Sequence, residues 1–235
     1  MAMRVPIAAG GNLGFDYVNA RLRARKRQFL TAAAYERLLL APDIEALIGA
    51  LGQSPYRRAL EQALSTHSGL AAVLRALQVD FGATLQQLQA FCAGQAAPLF
   101  SLLIRPYWRH NVLTLLRGVA ARSDPGQVVP LLIAVAPFTE GILSELARQP
   151  SLRRLVDLLA QRHLPDGELA QALVAALARS DELRSLELAF DRAWAGQTSA
   201  QVAALRDPNA ALLRLWWARQ MDLHNLLVAL ALGGA

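Results

Sequence analysis

The chain has one cysteine, Cys92, in 235 residues. A single thiol excludes an internal disulfide framework and any cysteine-rich zinc site. Aromatic residues are scarce, at 6%, and β-branched residues are few, which excludes an all-β sandwich or barrel. Lysine is almost missing: Lys26 stands alone among 24 basic residues, the rest being arginine. With the excess of Ala and Leu, this is the composition that a GC-rich coding sequence produces. The arginine count by itself therefore signals no special need for guanidinium groups.

No apolar run is suited to span a bilayer. The longest uncharged stretch, residues 81–104, contains Gln86, Gln87, Gln89, Gly94, Gln95 and Pro98, which a lipid-facing helix does not tolerate. The uncharged run 125–139 is short and broken by Pro130 and Pro137. Residues 1–11 lack a basic stretch followed by an apolar core, so no export signal is expected. The expectation is a soluble cytoplasmic protein.

What the chain does have is apolar bulk. Hydrophobic residues make up 54%, mean hydropathy is +0.26, and the net charge is +6. That composition excludes disorder and suffices for one large core or two small ones. Ala and Leu are helix formers, and no segment shows period-2 alternation bounded by turns. Helices are expected at about 15–29, 32–40, 43–52, 56–65, 69–79, 83–93, 98–120, 127–135, 139–148, 151–163, 168–179, 181–195 and 208–232. Thr31, Asp43, Ser151 and Asp207 read as N-caps, the last followed by Pro208 at the first helical position. Phe15, Val18, Leu22 and Phe29 recur on one stripe of the first helix. The fold class is all-α, a multi-helix array.

Reactive constellations are missing. His67, His110, His163 and His224 show no paired-ligand spacing. Residues 10–14 are glycine-rich but lack Gly-Lys-Ser/Thr, and no strand precedes them, so they do not form a phosphate loop. No catalytic residue, metal or cofactor is expected, and Cys92 reads as a packing residue.

One pattern recurs. Asp16-Tyr17-Val18-Asn19, Trp108-Arg109-His110-Asn111 and Asp222-Leu223-His224-Asn225 all fall in helical segments. Arg25 and Arg117 lie six residues beyond the first two asparagines, and Ala231 six beyond the third. Asparagine is mildly unfavourable inside a helix unless its amide finds partners. Its recurrence predicts a repeated unit in which each Asn ties one helix to a neighbour's backbone.

Two further features point to partners. Arg21, Arg23, Arg25, Lys26 and Arg27 place five cations within seven residues, so nearly all the net charge lies in one helix. Arg21 and Arg25 share one stripe, and Arg23 and Arg27 another. A solvated face, an acidic protein partner, and nucleic acid or anionic lipid are the three readings of this helix. No aromatic residues are interleaved for base stacking. Trp216-Trp217 point about 100° apart on a helix, so either one is buried and one lies at a boundary, or one is a partner contact.

Residues 17–25 (Tyr-Val-Asn-Ala-Arg-Leu-Arg-Ala-Arg) resemble the opening helix of the C-subunit family of V-type/A-type ATPases, whose eukaryotic V-ATPase members are called the d subunit. Tyr35-Glu36-Arg37-Leu38-Leu39 resembles that family's following Tyr-x-x-Leu-Leu helix. Asn111 with Arg117, and Asp222 with Asn225, are similar to its later Asp-x-x-Asn-Leu repeats. Leu186-Glu187-Leu188-Ala189-Phe190-Asp191-Arg192 resembles its segment before the third repeat. The resemblance covers roughly 15–230. Trp108 stands where the second repeat usually has Asp, Ala231 stands where the third would be basic, and the third repeat is incomplete.

The resemblance implies a funnel-like stack of pseudo-threefold repeated helical lobes. These would be a flexible lead at 1–14, repeat 1 at 15–95, repeat 2 at 96–185 and a partial repeat 3 at 186–235. It implies a non-catalytic coupling subunit of a rotary ion-translocating ATPase. Such a subunit sits peripherally on the cytoplasmic face of the membrane, between the central stalk and the rotor ring. The alternative is a free-standing basic α-helical adaptor for nucleic acid or anionic membrane.

Overall fold

Capping residues set many of the helix starts. Thr31, Asp43, Thr139, Ser151 and Asp166 hold extended backbone, and each accepts a side-chain hydrogen bond from the backbone N–H three residues on. Each cap satisfies a donor that a helix start leaves bare, and is worth about 1 kcal/mol. The computed structural model describes residues 13–92, 94, 96–206 and 210–233. Its helices are α1 (Leu13–Lys26), α2 (Ala32–Leu39), α3 (Ile44–Leu51), α4 (Arg57–Leu64), α5 (Gly69–Phe91) and α6 (Ala96–Ala120), then α7 (Pro125–Val128), α8 (Glu140–Ala147), α9 (Leu152–Gln161), α10 (Gly167–Leu177), α11 (Leu183–Ala204) and α12 (Ala210–Gly233). No strand occurs among the described residues, and the fold is all-α. The expected cap at Asp207-Pro208, and residues 1–12 of the expected lead, lie outside the described residues.

The structure corrects four expectations. The two helices expected at 69–79 and 83–93 are one helix, α5. Gly82, between them, does not break it. A Cβ built there would lie 3.1 Å from the Ala134 carbonyl oxygen, so this glycine lets α5 approach another segment closely. The helix expected at 127–135 shrinks to α7 and one 3-10 turn, Val129–Leu131. Residues 132–135 then run without regular structure, because Pro130 and Pro137 remove donors and side chains capture the backbone instead. Helix α11 extends to Ala204, well past the expected end. Finally, α1 ends at Lys26. Of its proposed stripe only Val18 is buried, and Phe29 lies beyond the helix and is exposed.

Two cores form. A small one packs Leu51, Leu60, Ala63, Ala72, Val73 and Ala76 from α3, α4 and α5. Its alanines let α4 and α5 approach closely. A larger core runs from Leu85 of α5 through α6–α11 to Leu213 and Trp217 of α12. Residues of the 96–185 and 186–235 segments share this core. Helix α5 thus contributes its first half to one core and its second half to the other. Pro106 lies inside α6.

Candidate functional site

Helix α6 is the hub of the molecule. Four consecutive residues, 108–111, send side chains in two directions. Trp108 Nε1–H donates to the Ala136 carbonyl at 2.8 Å. His110 Nε2–H donates to the Leu131 carbonyl at 2.8 Å. Asn111 is fully buried and clamps one residue twice: its Nδ2 donates to the Ile133 carbonyl at 2.8 Å, and its Oδ1 accepts from the Ile133 N–H at 2.9 Å. From the other side, α5 supplies Gln78 to the Leu132 carbonyl and Gln86 to the Ala134 carbonyl. Residues 131–136 are therefore a strap whose carbonyls, that of Val135 apart, bond to side chains rather than to a helix or sheet ladder.

The opposite face of α6 is tied to α11. Arg109 forms a two-pronged pair with Asp191, with both N–O distances 2.7 Å, and its guanidinium lies 5.5 Å from the Trp194 ring centroid. Arg117 pairs with Glu187. Arg105 is buried and donates to Thr198 Oγ1 at 2.7 Å, to Gln201 at 3.2 Å, and to Gln197. Asp166 lies 3.5 Å from Arg105. Burial pushes the Arg105 guanidinium below its ordinary range, and the neighbouring carboxylates of Asp166 and Glu168 oppose that shift. The partner order, 105 with 198, 109 with 191 and 117 with 187, makes α6 and α11 antiparallel. Two-pronged Arg–carboxylate pairs fix orientation as well as contact.

The basic helix divides by stripe. Arg25 donates to Thr84 Oγ1 at 2.7 Å and to Gln87. The Arg21 guanidinium lies 4.5 Å from the Phe91 ring centroid and 5.8 Å from that of Tyr17. Both therefore lean onto α5. Arg23, Lys26 and Arg27 are exposed, and none has an ion-pair partner among the described residues. Beside Arg25 opens an apolar groove of about 850 Å³, flanked by Phe29, Tyr56, Leu74, Phe81 and Leu131.

The three asparagines do not share one environment. Asn111 is buried and doubly bonded, whereas Asn19 and Asn225 are exposed. Asp16 and Asp222 are also exposed, and His224 is half-buried. The interhelical tie expected of each Asn is made at Asn111. At the other two positions the helix turns the residue to solvent. Trp217 is buried, with its Nε1–H bonded to Ser199 Oγ at 3.0 Å and its ring 5.1 Å from that of Trp194. Trp216 is half-buried and packs on the same core.

Sequence reasoning missed Arg105, the Arg109–Asp191 pair and the strap. The signal was present in part. Arg109 and Arg117 stand eight apart on α6, and Glu187 and Asp191 stand four apart on α11, a basic and an acidic stripe able to pair between helices. Among the described residues no group of three His, Cys, Asp or Glu side chains could hold a metal ion, and no helix is long and apolar enough to cross a membrane.

The geometry defines a helix-on-helix scaffold in which one central helix is bonded on both flanks. Residues 18–235 match the family described as ATP synthase (C/AC39) subunit, and the chain belongs to that family. It is 27% identical over 228 residues to the C subunit of the A-type ATP synthase of Halobacterium salinarum, covering 96% of this chain and 64% of that protein. It is 22% identical over 215 residues to the C subunit of the V-type ATP synthase of Deinococcus radiodurans, covering 92% and 59%. The C subunit of the A-type ATP synthase of Methanosarcina barkeri is 26% identical over 149 residues, covering 63% and 41%. The chain spans less than two thirds of the length of these relatives.

Proposed function

We propose that this chain is a non-catalytic coupling subunit of a rotary A/V-type ATPase. In this reading it joins the central stalk to the membrane rotor ring, peripherally on the cytoplasmic face, and couples ATP turnover in the head to ion movement. Residues 15–95, 96–185 and 186–235 are then the successive lobes of the spacer. The observation that carries the reading is the family match across residues 18–235, together with relatives named as C subunits of A-type and V-type ATP synthases.

The bonding of α6 supports it. A spacer under load needs elements that cannot slide past one another, and directional hydrogen bonds and ion pairs resist sliding better than apolar contact does. The exposed stripe of Arg23, Lys26 and Arg27 is the surface offered to an acidic protein partner. The test is recovery of the tagged chain from cells whose membranes are solubilised in mild detergent. Stalk and rotor-ring proteins should co-purify, and Arg23→Glu with Arg27→Glu should weaken their recovery. If the chain returns alone, or with nucleic acid that high salt (about 0.5 M) strips away, the coupling role is wrong.

A further inference from the structure

A second cavity beside Arg25, of about 640 Å³, is walled by α1, α4 and α5. That is the size of a small-ligand site. Each helix contributes an alanine to the wall, Ala24, Ala59 and Ala83, and these short side chains keep the space open. Three arginines line the same cavity: Arg21 and Arg25 from α1, and Arg58 from α4.

None of the three has an ion-pair partner among the described residues. Arg25 is half-buried and bonds only to neutral groups, Thr84 Oγ1 and the Gln87 amide oxygen. Arg21 lies against the Phe91 and Tyr17 rings. Arg58 is exposed, and Glu61, three residues on, is taken by Arg57 at 2.7 Å. The guanidiniums are thus positioned without being neutralised. Arg21 and Arg25 stand four apart on α1, a like-charged pair that costs stability by itself. Among the lining residues only Asp80 is acidic, one carboxylate against three cations. An anion seated in the cavity removes the repulsion.

The placement of the arginines selects the kind of anion. A carboxylate offers two coplanar oxygens, which suit one guanidinium. A phosphate offers three strong acceptor oxygens, which accept from guanidiniums arriving from two helices at once. A second linked phosphate extends that reach to the third arginine, and the volume is several times what a lone phosphate fills.

We propose that this cavity binds a small ligand carrying a chain of two or three phosphates, held by Arg21, Arg25 and Arg58, the chain being free or borne on a nucleoside. Gln28 and Gln62 on the wall add neutral donors and acceptors beside it. The site is separate from the coupling role, which rests on the stripe of Arg23, Lys26 and Arg27. Its test needs no partner protein, so failure of one leaves the other standing.

Isothermal titration calorimetry of the 235-residue chain in about 0.1 M salt tests the site with tripolyphosphate, ATP and citrate. At least one phosphate probe should bind one per chain with a Kd below about 1 mM. Citrate, a multiply charged carboxylate, should bind at least about tenfold more weakly than that probe. ATP binding more tightly than tripolyphosphate seats the nucleoside in the cavity; equal or weaker binding identifies the free chain as the ligand. Arg21→Gln and Arg58→Gln should each weaken binding by at least about tenfold. Ala24→Leu, which alters no charge, should do the same by filling the space. Asp80→Asn should tighten binding by about threefold or more, because it removes the one opposing charge. Arg153→Gln, at an exposed arginine on α9 without an ion-pair partner, should leave affinity unchanged. Circular dichroism should show every variant as helical as the parent. The site is overturned by an absence of saturable binding with both phosphate probes, or by citrate binding as tightly. It is also overturned if Arg153→Gln weakens binding as much as Arg58→Gln, if Ala24→Leu keeps full affinity, or if Asp80→Asn weakens binding.

Discussion

Removing the Asn111 amide tests the hub most directly. Asn111→Ala deletes two hydrogen bonds to Ile133, of 2.8 and 2.9 Å, from a side chain with no solvent exposure. A made hydrogen bond contributes about 0.5–1.5 kcal/mol, and a buried partner left unsatisfied costs about 1–3 kcal/mol. Ile133 is half-buried, so water reaches part of what is lost, and the sum falls at about 2–4 kcal/mol. For a domain of this size that is a melting-point drop of about 4–16 °C. Urea unfolding followed by circular dichroism reads it. Hydrogen exchange adds location: the Ile133 amide should lose protection before the rest of α6.

Asn111→Asp adds a pH signature. The carboxyl keeps an acceptor for the Ile133 N–H but faces the Ile133 carbonyl, so only its protonated form donates there. Burial and that hydrogen bond both raise its folded pKa above its unfolded value. The variant's penalty therefore grows as pH rises through the unfolded and then the folded pKa, and shrinks in acid. Asn19→Ala and Asn225→Ala, at exposed positions, should stay within about 0.5 kcal/mol of the parent. If Asn111→Ala costs less than about 1 kcal/mol, or if all three substitutions cost the same, the strap is not held as described.

Three further outcomes follow from the packing. Arg105→Ala strands Thr198, Gln197, Gln201 and Asp166 and should cost about 3–5 kcal/mol, with Arg105→Lys intermediate, by urea unfolding. Trp217→Ala opens a void beside Trp194 and should cost about 3–5 kcal/mol, while Trp216→Ala costs clearly less; parallel denaturation curves distinguish them. Gly82→Ala brings a Cβ 3.1 Å from the Ala134 oxygen and should destabilise despite its better helix propensity. A gain in melting temperature would show that α5 and the strap separate freely.

Much of the helix plan was readable because caps act locally. Thr31, Asp43 and Ser151 announce helix starts through their own side chains, and nothing distant alters that. The strap was not readable. The segment 128–135 is apolar and helix-tolerant apart from Pro130, and the irregular path of residues 132–135 depends on His110 and Asn111, 21 and 22 residues from their partners. The break expected between 79 and 83 is absent, and the fold uses the bareness of Gly82 there against Ala134. The asparagine recurrence identified the one residue that matters, but it could not separate Asn111 from Asn19 and Asn225, because burial is decided by what packs over a helix. Arg105 was invisible, since its value lies in Thr198 and its glutamine neighbours, 92 or more positions later.

Helix α5 has a mechanical consequence. Its Ala72, Val73 and Ala76 sit in the small core and its Leu85 in the large one, along one uninterrupted rod of 23 residues, about 35 Å long. A twist applied at the α1–α4 end reaches the α6–α12 end through the bending stiffness of this rod, with the Arg25 grip and the glutamine contacts acting as side stays. Slack between the two ends would require α5 to buckle, and the point of least side-chain support is Gly82, already braced against the strap.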